Sequence, residues 1–180
     1  RMPATWNQTS GEGVAVPVGE VNNAADGDSS RLLVRQVIPY IRSSVADNKP
    51  FFVVLWFHTP HKPIVDPGGV SAMDSSAALK ASIEGMDNAL GMLRNELTAL
   101  GVRGNTMFWF ASDNGPEDGV NSPNETNTTR SLTTGRFLER KRSLHEGGVR
   151  VPGILEWPDL IPPGRGTALP AVTTDYYPTT

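Results

Sequence analysis

The chain has 180 residues, 38% of them hydrophobic and 19% charged, which is enough for one domain with a core and argues against wholesale disorder. Sixteen basic and 19 acidic residues leave a net charge of −3, a poor balance for nucleic-acid binding, and the longest apolar run, Phe51–Phe57, is far short of the roughly 20 residues that span a bilayer. Cysteine is absent, which excludes disulfides, thiolate metal sites and a cysteine nucleophile among these residues.

Residues 1–30 are rich in Gly, Pro, Asn, Asp and Ser, and read as loop. Over 31–46, Leu33, Val37, Ile41 and Val45 recur at every fourth position and predict a helix, with Pro39 expected to kink it or shift its start. The run Phe51–Phe57, bounded by turn residues, predicts a strand buried on both faces. Over 75–100, Leu79, Ile83, Met86, Leu90, Leu93, Leu97 and Leu100 alternate by four and three, the strongest helix signal in the chain. Asp74 is placed to cap its start and Gly101 to close its end. Thr106–Ala111 reads as a second buried strand, so strand, helix and strand predict a βαβ unit. Residues 116–135 form a long polar loop, and Val149–Trp157 reads as a third strand that Pro152 limits. Three glycosylation sequons, at Asn7, Asn124 and Asn127, fit a secreted, periplasmic or lysosomal/lumenal protein. The chain opens on Arg1 and stops after Tyr177-Pro178-Thr179-Thr180, from which we expect a piece of a longer chain.

Ligands of open α/β sheets bind at the carboxyl ends of the strands. His58 and His61 follow the first strand there, and Asp113 and Asn114 follow the second. Lys141 precedes the third, in a loop able to fold back over the same edge. Asp113 and Asn114 offer a carboxylate and an amide oxygen, the donors that hard cations such as Ca²⁺ prefer. Asp-Asn-Gly is equally the composition of a plain turn, and two ligands are too few for an ion that takes 6–8. A histidine at a strand end suits general acid work near neutral pH, or is simply a hydrogen-bonded surface group. Lys141 could balance an anion, or be one member of the solvated run Arg140-Lys141-Arg142.

Five segments together narrow these alternatives. Phe57-His58-Thr59-Pro60-His61-Lys62-Pro63 resembles the histidine segment of the type I, formylglycine-dependent sulfatases. Glu84-Gly85-Met86-Asp87 is similar to the start of their Met-Asp helix, and Ala111-Ser112-Asp113-Asn114-Gly115 to their metal segment. Lys141–Pro152 resembles their Lys-x-Ser/Thr-Leu-x-Glu-Gly-Gly-x-Arg-x-Pro segment, and Thr173–Thr179 their Asp-x-Tyr-Pro-Thr segment. Order and spacing agree from about residue 31 to 180.

The resemblance implies an alkaline-phosphatase-like α/β fold, a mainly parallel sheet flanked by helices, of which residues 1–180 would be the central to C-terminal part. It implies hydrolysis of sulfate esters, with a sulfated small molecule or polysaccharide as substrate. Asp113 and Asn114 would bind one Ca²⁺, Lys141 would contact the sulfate, and His61 the ester oxygen, with His58 second to it. Glu146 and Arg150 would order the loop. Arg130 and Arg136, near the expected pocket mouth, are candidates for a second sulfate or carboxylate, or are plain surface charges.

Two positions depart from the family's habit: Glu139 stands where glycine is frequent and His145 where an aromatic is common. The larger departure is that no Cys/Ser-x-Pro-x-Arg segment, the source of formylglycine, occurs among the 180 residues. Ile161-Pro162-Pro163-Gly164-Arg165 copies only its Pro-x-Arg part. Alone, these residues are therefore expected to show no turnover and at most weak metal affinity. Two other readings stay open: a non-catalytic module that binds sulfated glycan, and a metal-dependent phosphatase or phosphodiesterase of the same superfold.

Overall fold

The computed structural model describes residues 5–6, 13–14, 29–61, 76–117 and 134–179. Asp74, Arg130 and the three sequons lie outside these residues.

Two helices packed side by side form the centre. Helix α1, Ser29–Ala46, buries Leu33, Val34, Val37 and Ile41 along one stripe and runs through Pro39. It ends where Asn48 adopts a left-handed φ of 54°, with Lys49 N–H donating to Ser44 O at 2.8 Å and Asn48 N–H to Val45 O at 3.0 Å. Helix α2, Ser76–Ala99, ends in the same way at Gly101, φ 71°: Val102 N–H reaches Leu97 O and Gly101 N–H reaches Thr98 O, both at 3.0 Å. The expected closure by Gly101 is therefore present, because only a left-handed residue there lets the last carbonyls find donors.

Met86, Ala89, Leu93 and Leu97 are the buried stripe of α2. Ala89, Leu93 and Leu97 interlock with Val34, Val37 and Ile41 of α1 in one cluster. Burial at this interface is worth about 25 cal/mol per Å² of apolar surface. At its rim Arg42 grips Glu96 with two bonds, 2.6 Å from Nε and 2.9 Å from Nη2. Leu79, Ile83 and Leu90 of the same helix line a cavity, as do Met86, Leu93 and Leu97.

Strand β3, Phe108–Ala111, pairs antiparallel with β4, Gly153–Glu156, in the register Phe108 opposite Glu156 and Ala111 opposite Gly153. Glu156 also accepts from Arg94 at 2.8 Å and Arg103 at 2.6 Å, which locks the end of β4 to α2 and its following turn. Trp109 stacks on Tyr176, with ring centroids 4.6 Å apart, and so ties a short C-terminal helical turn to the sheet.

Three expectations need correction. The strand predicted at Phe51–Phe57 has no ladder partner among the described residues and is not buried on both faces: Phe52, Val54 and Trp56 are 52%, 49% and 69% exposed. Phe51, Val53, Leu55 and Phe57 are half-buried against the helix core. An extended run exposes alternate side chains when only one of its faces is covered. The third strand is shorter than predicted. Glu146–Val149 is a helical turn, α3, closed by Arg150 N–H to Glu146 O at 2.9 Å, and β4 starts only after Pro152, which has no N–H to give a ladder. The N-terminal loop region contains a two-residue antiparallel pairing, β1 Thr5–Trp6 with β2 Gly13–Val14. No helix among the described residues is long and apolar enough to cross a membrane.

Candidate active site

The chain leaves β3 at Ala111 and turns through Ser112-Asp113-Asn114-Gly115. The antiparallel partner β4 begins opposite Ala111, so the segment that precedes it, residues 138–152, arrives at this same edge. Two backbone bonds join the segments: Gly115 N–H to Gly148 O at 2.8 Å and Lys141 N–H to Pro116 O at 3.0 Å. The approach is too close for side chains. A Cβ on Gly115 would overlap the Gly147 carbonyl, one on Gly147 the Glu139 carbonyl, and one on Gly148 the Ser143 carbonyl. Arg142 adds an ion pair to Glu117 across the junction.

The extended run 51–58 brings a third segment. His61 N–H bonds to His58 O at 2.8 Å, closing a turn, and the two imidazoles lie 5.4 Å apart between centroids at 49°. A cavity of about 1830 Å³ opens between this run, α2 and β3. His58, His61, Asp113, Asn114, Lys141 and Arg150 all line it. Five site residues expected from three separate stretches of sequence, with Arg150 beside them, thus share one space.

Within that space the charges are unevenly matched. Lys141 forms no ion pair with another described residue, so its ammonium is available to an anion. Arg150, by contrast, is held by Glu146 at 2.7 Å and lies 4.9 Å from the Phe137 ring centroid. Arg136 covers the same ring at 5.4 Å and does not line the cavity. Glu117 is a lining residue that the sequence did not single out, and no local signal marks it.

The fit of a hard cation rests on two donors. Asn114 donates its amide nitrogen to Gly115 O at 2.9 Å, which leaves the amide oxygen as the acceptor open to an ion. Asp113 has no ion-pair partner among the described residues, and its carboxylate is next in sequence. These are the right atoms for Ca²⁺ and a partial set of them. Among the described residues no three His, Asp or Glu side chains converge as a complete metal site.

Comparison with known proteins gives the family and the fold. The family model described as Sulfatase matches residues 3–180. Mouse steryl-sulfatase is 33% identical over 156 residues, covering 85% of this chain and 24% of that protein. Dog N-acetylgalactosamine-6-sulfatase is 26% identical over 140 residues, covering 78% of this chain and 26% of that protein. The chain therefore spans about a quarter of the length of these relatives. The solved structure of Ps i-CgsB in complex with k-i-k-neocarrahexaose superposes with a TM-score of 0.60 at 24% identity, over 75% of this chain and 29% of that one, a likeness of fold.

Proposed function

We propose a function from a plain premise: this chain belongs to the sulfatase family. The protein hydrolyses sulfate esters, and these residues supply the cation-binding and leaving-group side of its active site. The observation that carries this reading is the convergence of His58, His61, Asp113, Asn114 and Lys141 on one cavity.

A sulfate monoester is an anion, so an attacking oxygen meets repulsion. Lys141 lowers that repulsion by placing at the cavity wall an ammonium that has no ion-pair partner among the described residues, where a fixed charge acts more strongly than it does in water. His61 donates a hydrogen bond or proton to the ester oxygen as the bond to sulfur breaks, with His58 beside it in support. Asp113 and Asn114 would hold Ca²⁺, which when bound supplies positive charge against the sulfate. Since none of the 180 residues can become formylglycine within the required segment, the attacking oxygen is assigned to a residue beyond them.

Sulfated sugars are the substrate class we favour. One relative's name specifies an N-acetylgalactosamine sulfate, and the Ps i-CgsB structure holds a neocarrahexaose.

The test is turnover by the natural protein, expressed from its full reading frame, on an aryl sulfate and on sulfated oligosaccharides. Sulfate release should fall at least about 100-fold in Lys141→Ala and in His61→Ala. Oligosaccharide binding without sulfate release would replace the enzyme with a glycan-binding module. Release of phosphate but not sulfate would point to the phosphatase reading.

A further inference from the structure

Lys141 sits in a loop that has little apolar packing to hold it. Leu144, at the apex, is 94% exposed. Two of its residues take left-handed backbone conformations without being glycine: Glu139 at φ 60° and Arg142 at φ 76°. A side chain at such a position costs backbone energy that glycine would avoid, so its retention asks for a compensating contact. Glu139 makes that contact. Its Oε2 accepts a hydrogen bond from Ser143 Oγ and lies 3.1 Å from His145 Nδ1. Ser143 Oγ in turn accepts from the His145 backbone N–H at 3.1 Å. The three side chains brace positions 139, 143 and 145 across the stretch Arg140-Lys141-Arg142, on top of the backbone bonds Gly147 N–H to Leu138 O and Ser143 N–H to Arg140 O.

We propose that Glu139 is a positioning residue for Lys141: its carboxylate, through Ser143 and His145, fixes the loop so that the Lys141 ammonium faces the cavity. The inference rests on the role given to Lys141 above and goes beyond it, because Glu139 itself does not line the cavity. The bond from Ser143, then that from His145, hold the Glu139 carboxyl below its ordinary pKa, so the brace is ionised throughout the neutral range.

Glu139→Gly is the informative variant, because it removes the carboxylate and relieves the left-handed residue at once, so the fold is kept. In the natural protein, kcat/KM for a sulfate ester should fall about tenfold in Glu139→Gly and in Glu139→Gln, with the melting temperature of Glu139→Gly unchanged or raised. In a Lys141→Ala background, Glu139→Gly should cost nothing further, since residues acting through one another are non-additive. Wild-type kcat/KM in Glu139→Gly, or an equal loss in both backgrounds, would overturn the proposal. A Lys141→Ala protein of undiminished activity would overturn the role of Lys141 first and this inference with it. A readout independent of turnover is the rate of tryptic cleavage after Arg140, Lys141 and Arg142, which tracks loop opening. It should rise about tenfold in Glu139→Gly, and an unchanged rate would sink the brace whatever reaction the protein catalyses.

Discussion

Lys141 donates its backbone N–H to the carbonyl of Pro116 at 3.0 Å, one residue beyond the turn that carries Asp113 and Asn114. With the Gly115–Gly148 bond beside it, this makes the Asp113-Asn114 turn and the lysine parts of one junction. The distance between them is then set by backbone, whose bonds tolerate little adjustment, and not by flexible side chains.

Glycines are the condition for that closeness. Gly115→Ala and Gly148→Ala each force a Cβ into a backbone carbonyl, of Gly147 and of Ser143 respectively. Each should cost on the order of 1–3 kcal/mol or more in urea unfolding, at unchanged denaturant slope. Gly91→Ala is the internal contrast. It lies in α2 with nothing within 4 Å of a new Cβ, and should stabilise by about 0.5–1 kcal/mol through helix propensity alone. If all three moved in the same direction, the junction would not be close-packed as described.

The α1–α2 interface makes a second prediction. Ile41 and Leu97 are each 2% exposed in the central cluster. Truncating either to Ala removes its transfer energy and leaves a cavity, at a cost of about 2–5 kcal/mol. The double variant should fall short of the sum, since both line the same interface and share the space vacated. Equilibrium urea melts of the single and double variants decide this.

Much of the helical frame is legible in the sequence, and less of the sheet and loops. The four-and-three spacing from Leu79 to Leu97 marks α2 because a helix repeats every 3.6 residues, and Gly101 marks its end because the motif needs a left-handed residue. Asp113, Asn114, Lys141 and the two histidines are legible as segments. Their convergence is not, because it depends on β3 pairing with a strand some 45 residues later, held in place by Arg94 and Arg103 on Glu156. Periodicity carries no information about which strand is the partner. The Glu139–Ser143–His145 brace is invisible for a related reason: its residues sit four and two apart on a loop with left-handed turns, where neither helical nor strand spacing applies.

The Arg42–Glu96 pair gives a pH-dependent prediction. The hydrogen bond from Arg42, with the attraction of its charge, lowers the Glu96 carboxyl below its ordinary value in the folded protein. A depressed folded-state pKa means stabilisation present above the unfolded value of about 4.3 and lost as pH falls through the folded value. Wild type should therefore exceed Arg42→Gln in urea midpoint by a constant margin above about pH 5, and the margin should close under more acid conditions. Added salt should shrink it at neutral pH, because the Arg42 side chain is 60% exposed. A margin that grew on acidification would contradict the assignment.

Asp113 offers the sharpest check on the cation reading. Asp113→Asn keeps the size and polarity of the side chain and removes one negative charge from a site built of hard oxygen donors. If the carboxylate faces an ion in the natural protein, calorimetric Ca²⁺ affinity should drop at least about tenfold, and chelation should lower wild-type stability by the binding linkage while barely affecting the variant. Ser112→Ala is the matched control. Its hydroxyl bonds to Asn114 O at 2.8 Å, inside the same turn, so it perturbs the loop without removing a donor from the ion. A large loss of affinity in Ser112→Ala together with none in Asp113→Asn would show that the turn matters for its shape alone, and the Asp113–Asn114 pair would cease to be a candidate cation site.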